Sequence, residues 1–384
     1  MGDKEKKDLR EANFIKTELE GADFIEANLQ EANFIGSNLQ GANFKGANLE
    51  KANLQVTDLQ GANLQEANLH RAKLQVATLY GADLQGANLQ EANLQGANLQ
   101  GADLQEANLQ EANLQRTDLI EANFQRANLK GTIFCGADLQ EANLQEANLQ
   151  GADLQGADLE KANLQGANLK ETNFKRAGLE EANFQGADLQ GADLEEANLQ
   201  GADLQGANLQ EANIQRTDLR EANLEGANLG KANLEKAKLK ETNLREAKFE
   251  EANLEEAKLK GANLQGANLI KAKLIKAKLQ RANLEGADLQ EANLIKAKLE
   301  DANLQRANLN GVNFNGADLQ RVNFRKANLQ GAKFEEANLE GAQHLSIDQL
   351  SNVKTLYNAK LDEKLFIKLK EKHPALFEKL DCCE

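Results

Sequence analysis

Two rows of charged residues are the part of this sequence best suited to bind a partner. Positions 20 residues apart carry carboxylates early in the chain and ammonium groups later: Asp118, Asp138 and Asp158 (the acidic row), then Lys238, Lys258, Lys278 and Lys298 (the basic row). If such positions stack about 4.8 Å apart, neighbouring like charges repel by roughly 1 kcal/mol in water before screening. The rows predict a binding surface with an acidic part and a basic part. The alternative is a solvent-exposed face whose charged residues have changed by sequence drift among near-identical repeats.

The charge of the chain is unevenly distributed. The 384 residues carry a net charge of −15, with −14 in residues 81–210 and +4 in residues 231–300. The basic segment contains KAKLIKAKLQ at residues 271–280, and further lysines flank the basic row at positions 236, 240, 260, 276 and 296. The basic row therefore stands out against an acidic background.

Residue types that perform catalysis are scarce and scattered. The three histidines lie far apart in the sequence, at His70, His344 and His373. The sequence has no phosphate-cradling glycine loop, no metal-ligand cluster and no oxyanion-hole motif, and its many carboxylates are spread along the chain. We predict no catalytic, cofactor-binding or metal-binding residue, no cofactor, and a protein that is not an enzyme.

The cysteines and the N-terminus indicate a reduced, cytoplasmic protein. Cys135, Cys382 and Cys383 are too few for a disulfide framework, and the adjacent pair lacks metal-ligand spacing. The segment MGDKEKKDLR has no apolar stretch typical of a secretory signal. No run of 18 apolar residues occurs, so we expect no transmembrane segment.

A strict five-residue period runs through most of the chain. From Leu9 to Leu339 every fifth residue is Leu, Phe or, once, Ile214, which makes 67 pentapeptides without a slip. The residue two positions earlier is small, nearly always Ala. A period of five suits neither a helix of 3.6 residues per turn nor a continuous strand that alternates every two residues. It fits a short extended side, with Ala and Leu pointing inward, followed by a two-residue corner.

The phenylalanines indicate how many sides form one coil. Eleven of the twelve repeat phenylalanines lie at multiples of ten residues from one another, and Phe249 is the exception. This parity requires an even number of sides, and four is the smallest even number that encloses a core. Positions 20 residues apart would then stack, including the asparagines that recur from Asn28 to Asn168 and whose amides could form a hydrogen-bonded ladder.

The pattern A(N/D)LXX resembles the pentapeptide repeat proteins. The resemblance covers residues 9–342 and implies a right-handed quadrilateral β-helix. We therefore expect an all-β solenoid of about 17 coils built from the 67 repeats.

The two ends of the repeat differ in sequence. Residues 1–8 form a charged leader, and residues 343–384 are predicted to form a small C-terminal α-helical cap. Ser346 and Gln349 have the spacing of a capping box, and Asp362 precedes EKLFIKLKEKH as a candidate N-cap. Isoleucines at outward corners near the N-terminus, Ile15, Ile25 and Ile35, could support end-to-end self-association.

The sequence favours a non-catalytic, rod-like scaffold that binds a protein partner or itself. The reasons are the unbroken periodicity, the filled core and the surface that carries both an acidic and a basic row. One specific form is an antiparallel dimer, with the acidic row of each copy against the basic row of the other, about a two-fold axis near residue 200.

The resemblance also implies an alternative function. Some pentapeptide repeat proteins resemble B-form DNA in width and negative charge, and bind type II topoisomerases (gyrase) with inhibition or quinolone protection as the result. The segment of charge −14 fits such a DNA mimic, whereas the basic row does not. Direct nucleic-acid binding by the lysines is disfavoured, since the patch lacks aromatic partners and the overall charge repels phosphate.

Overall fold

The pentapeptides form a parallel β-solenoid. The computed structural model describes residues 7–379 of the chain. In most of the described sides, the residue before the central Leu or Phe (the outward slot) forms an isolated parallel β-bridge with the residue 20 positions on. Each coil therefore contains four pentapeptides, as the phenylalanine parity predicts.

The chain divides into two units, Met1–Asp193 and Leu194–Glu384, which are built in the same way. Bridges run from Asp8↔Asn28 to Asn173↔Asp193 in the first unit and from Asn198↔Asp218 to Asn323↔Gln343 in the second. The acidic row belongs to the first unit and the basic row to the second.

Every backbone N–H of a typical repeat has a hydrogen-bond acceptor. In the repeat at residues 48–52, three N–H groups donate to the adjacent coils: Asn48 to Ala27 O, Leu49 to Asn68 O and Lys51 to His70 O, at 2.7–2.9 Å. The N–H of Ala52 closes the corner on Leu49 O at 2.9 Å. The fifth, from Glu50, donates to the side chain of Asn48 at 3.2 Å. The outward Asn thus completes the hydrogen bonding of its own repeat.

The core is filled by the Ala and Leu or Phe positions. Phe34 stacks on Phe14 in the adjacent coil at 4.8 Å between ring centroids, and meets Phe24 and Phe44 edge-on at 6.0 Å. Phe34 is fully buried. Phenylalanines ten residues apart face each other across the lumen, which explains their shared parity.

The second corner residue of every repeat is left-handed. From residue 11 to residue 341 this position has a positive φ between 53° and 70°. It holds 26 of the 29 glycines, and elsewhere it holds mostly Glu, Lys or Arg. Glycine adopts this conformation without strain, whereas a β-branched residue does not. Val56 and Val76 are such β-branched residues, and both are exposed.

The helices lie after the last repeat. Helix α1 spans Ile347–Leu350, α2 spans Glu363–Lys372, and a 3-10 helix spans Pro374–Phe377. The predicted capping box is confirmed: Gln349 N donates to Ser346 Oγ, and Ser346 N donates to Gln349 Oε1, both at 3.1 Å. Gln349 Nε2 also donates to the main chain of the last coils, at Phe324 O and Ala327 O.

The prediction for Asp362 is only partly right. Asp362 does precede α2, but its carboxylate makes no capping bond and instead accepts from the N–H of Gly341 at 3.0 Å. The carboxylate therefore ties the start of α2 to the final corner of the solenoid. Parallel pairing continues beyond the repeat, since Thr355 pairs with Lys333 and Lys360 with Asn338.

Several predictions fall on residues outside 7–379. They include most of the charged leader and the cysteines Cys382 and Cys383. Within the described part of the chain, no helix has the length and apolar character needed to cross a membrane.

Candidate interaction surface

The outward slot usually holds Asn, whose side-chain oxygen can accept two hydrogen bonds. Asn48 Oδ1 accepts from Glu50 N at 3.2 Å and from Asn68 Nδ2 at 3.0 Å. Asn68 in turn accepts from His70 N and from Asn88 Nδ2, at 3.2 and 3.1 Å. The predicted asparagine ladder is confirmed, and its role is structural.

Lysine in the outward slot breaks this arrangement, because an ammonium group donates and cannot accept a hydrogen bond. The four lysines of the basic row stack through the bridges Lys238↔Lys258, Lys258↔Lys278 and Lys278↔Lys298. Their side chains are exposed, whereas most outward asparagines are half-buried. Four backbone N–H groups in this row have no hydrogen-bond acceptor among residues 7–379: those of Lys240, Lys260, Gln280 and Glu300.

Grooves run along both flanks of the basic row. The first, of about 490 Å³, lies towards the corner that follows the row and is lined by lysines of the row together with Lys240, Lys260, Gln280 and Arg281. The second, also about 490 Å³, lies towards the preceding corner, where Lys236, Lys276 and Lys296 join the lining. The lysines that the sequence places beside the row therefore line its two grooves.

The basic row lacks counter-charges except at its start. Lys238 Nζ donates to Asp218 Oδ2 at 3.1 Å, and Arg220 Nε donates to Asp218 Oδ1 at 2.7 Å. Burial by itself would raise the pKa of Asp218, but these hydrogen bonds outweigh it and hold the pKa below its ordinary value. In the described chain, Lys258, Lys278 and Lys298 have no carboxylate oxygen within 4.0 Å.

The acidic row is likewise without cations. Asp118, Asp138 and Asp158 stack through parallel bridges, and each Oδ1 accepts the backbone N–H two residues later at 3.1–3.3 Å. No Lys or Arg nitrogen of residues 7–379 lies within 4.0 Å of these carboxylates. Burial raises the pKa of Asp138, and the neighbouring Asp158 and Asp118 carboxylates raise it further.

Replacing Asp138 by asparagine is expected to stabilise the first unit. The substitution removes two like-charge contacts and keeps the oxygen that accepts from Gln140 N, so we expect a gain of about 0.2–1 kcal/mol at neutral pH. Because the folded-state pKa of Asp138 lies above the unfolded value, the aspartate costs stability above that pKa. The advantage of Asp138→Asn should therefore shrink as the pH falls towards about 4.

Urea unfolding of Asp138→Asn and the unchanged chain at pH 7 and pH 4 measures this difference. A matched Asp288→Asn variant, whose aspartate stacks between Asn268 and Asn308, should show a smaller gain. Equal gains at both sites would show that the stacked carboxylates do not repel.

Groups suited to catalysis or metal binding do not converge. His70 lies 3.7 Å from Glu91 and 4.0 Å from Glu50, far along the sequence from the other histidines. No group of three or more metal-ligating side chains occurs in residues 7–379. Cys135 Sγ donates to Asp153 Oδ2 at 3.0 Å, and burial, reinforced by this carboxylate, raises the pKa of the thiol to about 11. The thiol is therefore protonated at neutral pH and a poor nucleophile.

Sequence reasoning located the lysines but missed the backbone donors beside them. The signal was present in the sequence: the acceptor of the outward slot is lost in four successive coils. It could be recognised only once the Asn side chain was known to bind the N–H two residues later.

The chain is similar to known pentapeptide repeat proteins. The chain matches the family described as pentapeptide repeats (8 copies), in segments that together cover residues 8–75 and 97–341. No curated protein matched the chain.

Three solved structures illustrate the similarity. HetL, a pentapeptide repeat protein involved in heterocyst differentiation regulation in the cyanobacterium Nostoc sp., is 34% identical over 64% of this chain and 89% of its own, with a TM-score of 0.22. A pentapeptide repeat protein of the Arabidopsis thaliana thylakoid lumen is 25% identical over 35% and 77%, with a TM-score of 0.27. A trypsin-treated variant of QnrB1, a plasmid-mediated fluoroquinolone resistance protein, is 19% identical over 53% and 94%, with a TM-score of 0.23.

Proposed function

The chain belongs to the pentapeptide repeat family, whose members fold as right-handed quadrilateral β-helices, and from this premise we propose that it is a non-catalytic interaction scaffold. Proteins of this family are generally structural or interaction proteins. The observation that carries the proposal is the pair of charged rows, each of which lacks counter-charges over most of its length.

The partner proposed is a second copy of the chain. Both rows are built on the same 20-residue coil, so their charges repeat at the same spacing of about 4.8 Å. An acidic row of one copy can therefore meet the basic row of another with successive carboxylates beside successive ammonium groups. Each contact relieves the repulsion within both rows and supplies the missing counter-charge. Because each copy carries both rows, two such contacts close a symmetric dimer.

The ends of the chain complete the proposal. Residues 343–384 act as a C-terminal cap for a β-helix of about 17 coils. Support comes from Leu350, Leu356 and Leu369, which are fully buried, and from the bonds of Gln349 to the last coils. End-to-end association through the N-terminal isoleucines is the weaker route to a dimer, since Ile15 and Ile25 are exposed while Ile35 is half-buried.

Charge reversal in the basic row tests the dimer. We expect Lys258→Glu with Lys278→Glu to reduce the molar mass in light scattering at low salt from that of a dimer to that of a monomer, because the acidic row would then meet like charges. The unchanged chain should dissociate as salt is added.

The matched control is Lys248→Glu with Lys273→Glu, which changes the net charge equally in outward slots outside the basic row. This control should remain a dimer. An unchanged chain that is monomeric at every salt concentration would remove the proposal.

A DNA-mimicking gyrase binder is the alternative function. The net charge of −14 in residues 81–210 supports it, and the positive charge of the basic row opposes it. We therefore expect micromolar protein to leave gyrase supercoiling unchanged in both the presence and the absence of a quinolone. Inhibition or protection would favour the mimic.

A further inference from the structure

We propose that the groove between the basic row and the corner after it binds an oligophosphate anion. The ammonium groups of Lys258 and Lys278 and the backbone N–H groups of Lys260 and Gln280 are the principal donors. This inference goes beyond the proposed scaffold function, because its ligand is a small polyanion and its donors include the main chain.

A run of such main-chain donors in four successive coils lies in the basic row. One coil before the row, Arg220 N donates to Asp218 Oδ1 at 3.4 Å, and one coil after it, Gln320 N donates to Asp318 Oδ1 at 3.3 Å. Between these aspartates four successive slots hold lysine, and the corresponding N–H groups have no acceptor among residues 7–379. Each freed N–H sits where an outward Asn or Asp oxygen would otherwise meet it, beside the lysine of its own repeat.

The site arises because lysines stack in successive coils, and each of them leaves one backbone N–H without its usual Asn or Asp acceptor. Lysines occupy outward slots elsewhere, but Lys248 stacks between Asn228 and Asn268, and Lys273 stacks between Asn253 and Asn293. In the basic row the freed N–H groups recur coil after coil with ammonium groups alongside, and a groove of about 490 Å³ runs between them. An N–H that the protein leaves without an acceptor is available to an oxyanion, and successive N–H groups of this kind form a favourable anion site.

The charge and shape of the groove favour phosphate groups. Lys240, Lys260 and Arg281 add positive charge to that of the row, whereas Glu300 and Asp301 mark its far end. The stretch from Lys238 to Lys278 spans two coil spacings, about 10 Å. A chain of two or three linked phosphates fits this length. Its tetrahedral groups direct oxygens both to backbone N–H groups and to ammonium groups of the lining residues.

Calorimetric titration of the full chain with inorganic tripolyphosphate at about 0.1 M ionic strength tests the site. We expect saturable binding to the unchanged chain. Lys258→Asn with Lys278→Asn should weaken it by about tenfold or more, because it removes two ammonium groups and returns the acceptors that occupy the N–H groups of Lys260 and Gln280.

Two further variants separate the contributions. Lys258→Met with Lys278→Met removes the same charge but leaves the N–H groups free, so its affinity should lie several-fold above that of the asparagine variant. Lys248→Asn with Lys273→Asn changes the net charge equally outside the row and should stay within about twofold of the unchanged chain. Circular dichroism on all three variants establishes that they are folded.

Each result decides the inference. Absence of saturable binding to the unchanged chain would overturn it, as would an equal loss in the control outside the row. Equal affinities of the methionine and asparagine variants would overturn the role of the main chain. Because binding is titrated at a concentration where light scattering shows monomers, loss of this site and loss of the dimer are separate outcomes.

Discussion

Replacing Phe34 by alanine is expected to lower the free energy of unfolding by about 3–5 kcal/mol. The ring is fully buried, stacks on Phe14 at 4.8 Å and meets Phe24 and Phe44 edge-on at 6.0 Å. Its removal leaves a cavity in the lumen that neighbouring coils cannot close, because each is held by main-chain hydrogen bonds on both sides. Urea unfolding followed by far-ultraviolet circular dichroism measures the loss.

Phe34→Leu is the matched control, since leucine occupies the same position in most repeats. It keeps most of the core filled and loses chiefly the three ring contacts of Phe34, worth about 0.5–1.5 kcal/mol each, so the expected loss is smaller than that of the alanine variant. An alanine variant as stable as the leucine variant would contradict the conclusion that side chains pack tightly in the interior of the solenoid.

Replacing Gly61 by valine is expected to lower stability by about 1–2 kcal/mol without any steric clash. Gly61 has a φ of +62°, and a Cβ added there would meet nothing within 4 Å. The cost therefore comes from the backbone, because a β-branched side chain disfavours the left-handed conformation. Gly61→Lys should cost less, since lysine occupies this corner at Lys51 with a φ of 55°.

The reverse change should stabilise the protein. Val56 has a φ of 56° and an exposed side chain, so Val56→Gly relieves backbone strain and loses little packing. After the greater unfolded-state freedom of glycine is subtracted, a gain of about 0.5–1 kcal/mol remains. Thermal unfolding of both variants measures these effects, and a loss of stability in Val56→Gly would show that the corner is not strained.

Much of the fold follows from the sequence because the repeat has no slip. The five-residue spacing from Leu9 to Leu339 excludes a helix and a continuous strand, and the parity of residues such as Phe24 and Phe34 selects four sides. The left-handed corner was not predicted. Confinement of 26 glycines to one position was the available signal, but Glu and Lys at the same position concealed it.

The candidate site was predicted only in part. The 20-residue spacing identified the basic row, and its stacking is observed in bridges such as Lys258↔Lys278. The sequence could not show that the N–H groups of Lys260 and Gln280 lack acceptors. In this fold, that N–H normally donates to the side-chain oxygen of the outward Asn or Asp two residues earlier, and this bond was not evident from the sequence. The role of Asp362 depended in the same way on a contact with Gly341, 21 residues earlier.

The sequence by itself determined the period, the inward and outward positions and the order of charges along the chain. These are local properties, because each repeat places its own Leu in the core and its own Asn or Lys outside. Only the tertiary structure decided which groups are satisfied. Each coil takes acceptors from the coils before and after it. The partners of an inter-coil N–H, the counter-charge of Lys238 and the like-charge neighbours of Asp138 are therefore set by residues 19 to 21 positions away. The physical reason is that hydrogen bonds and charge pairs join residues of adjacent coils, whereas the five-residue pattern involves only neighbours in the sequence.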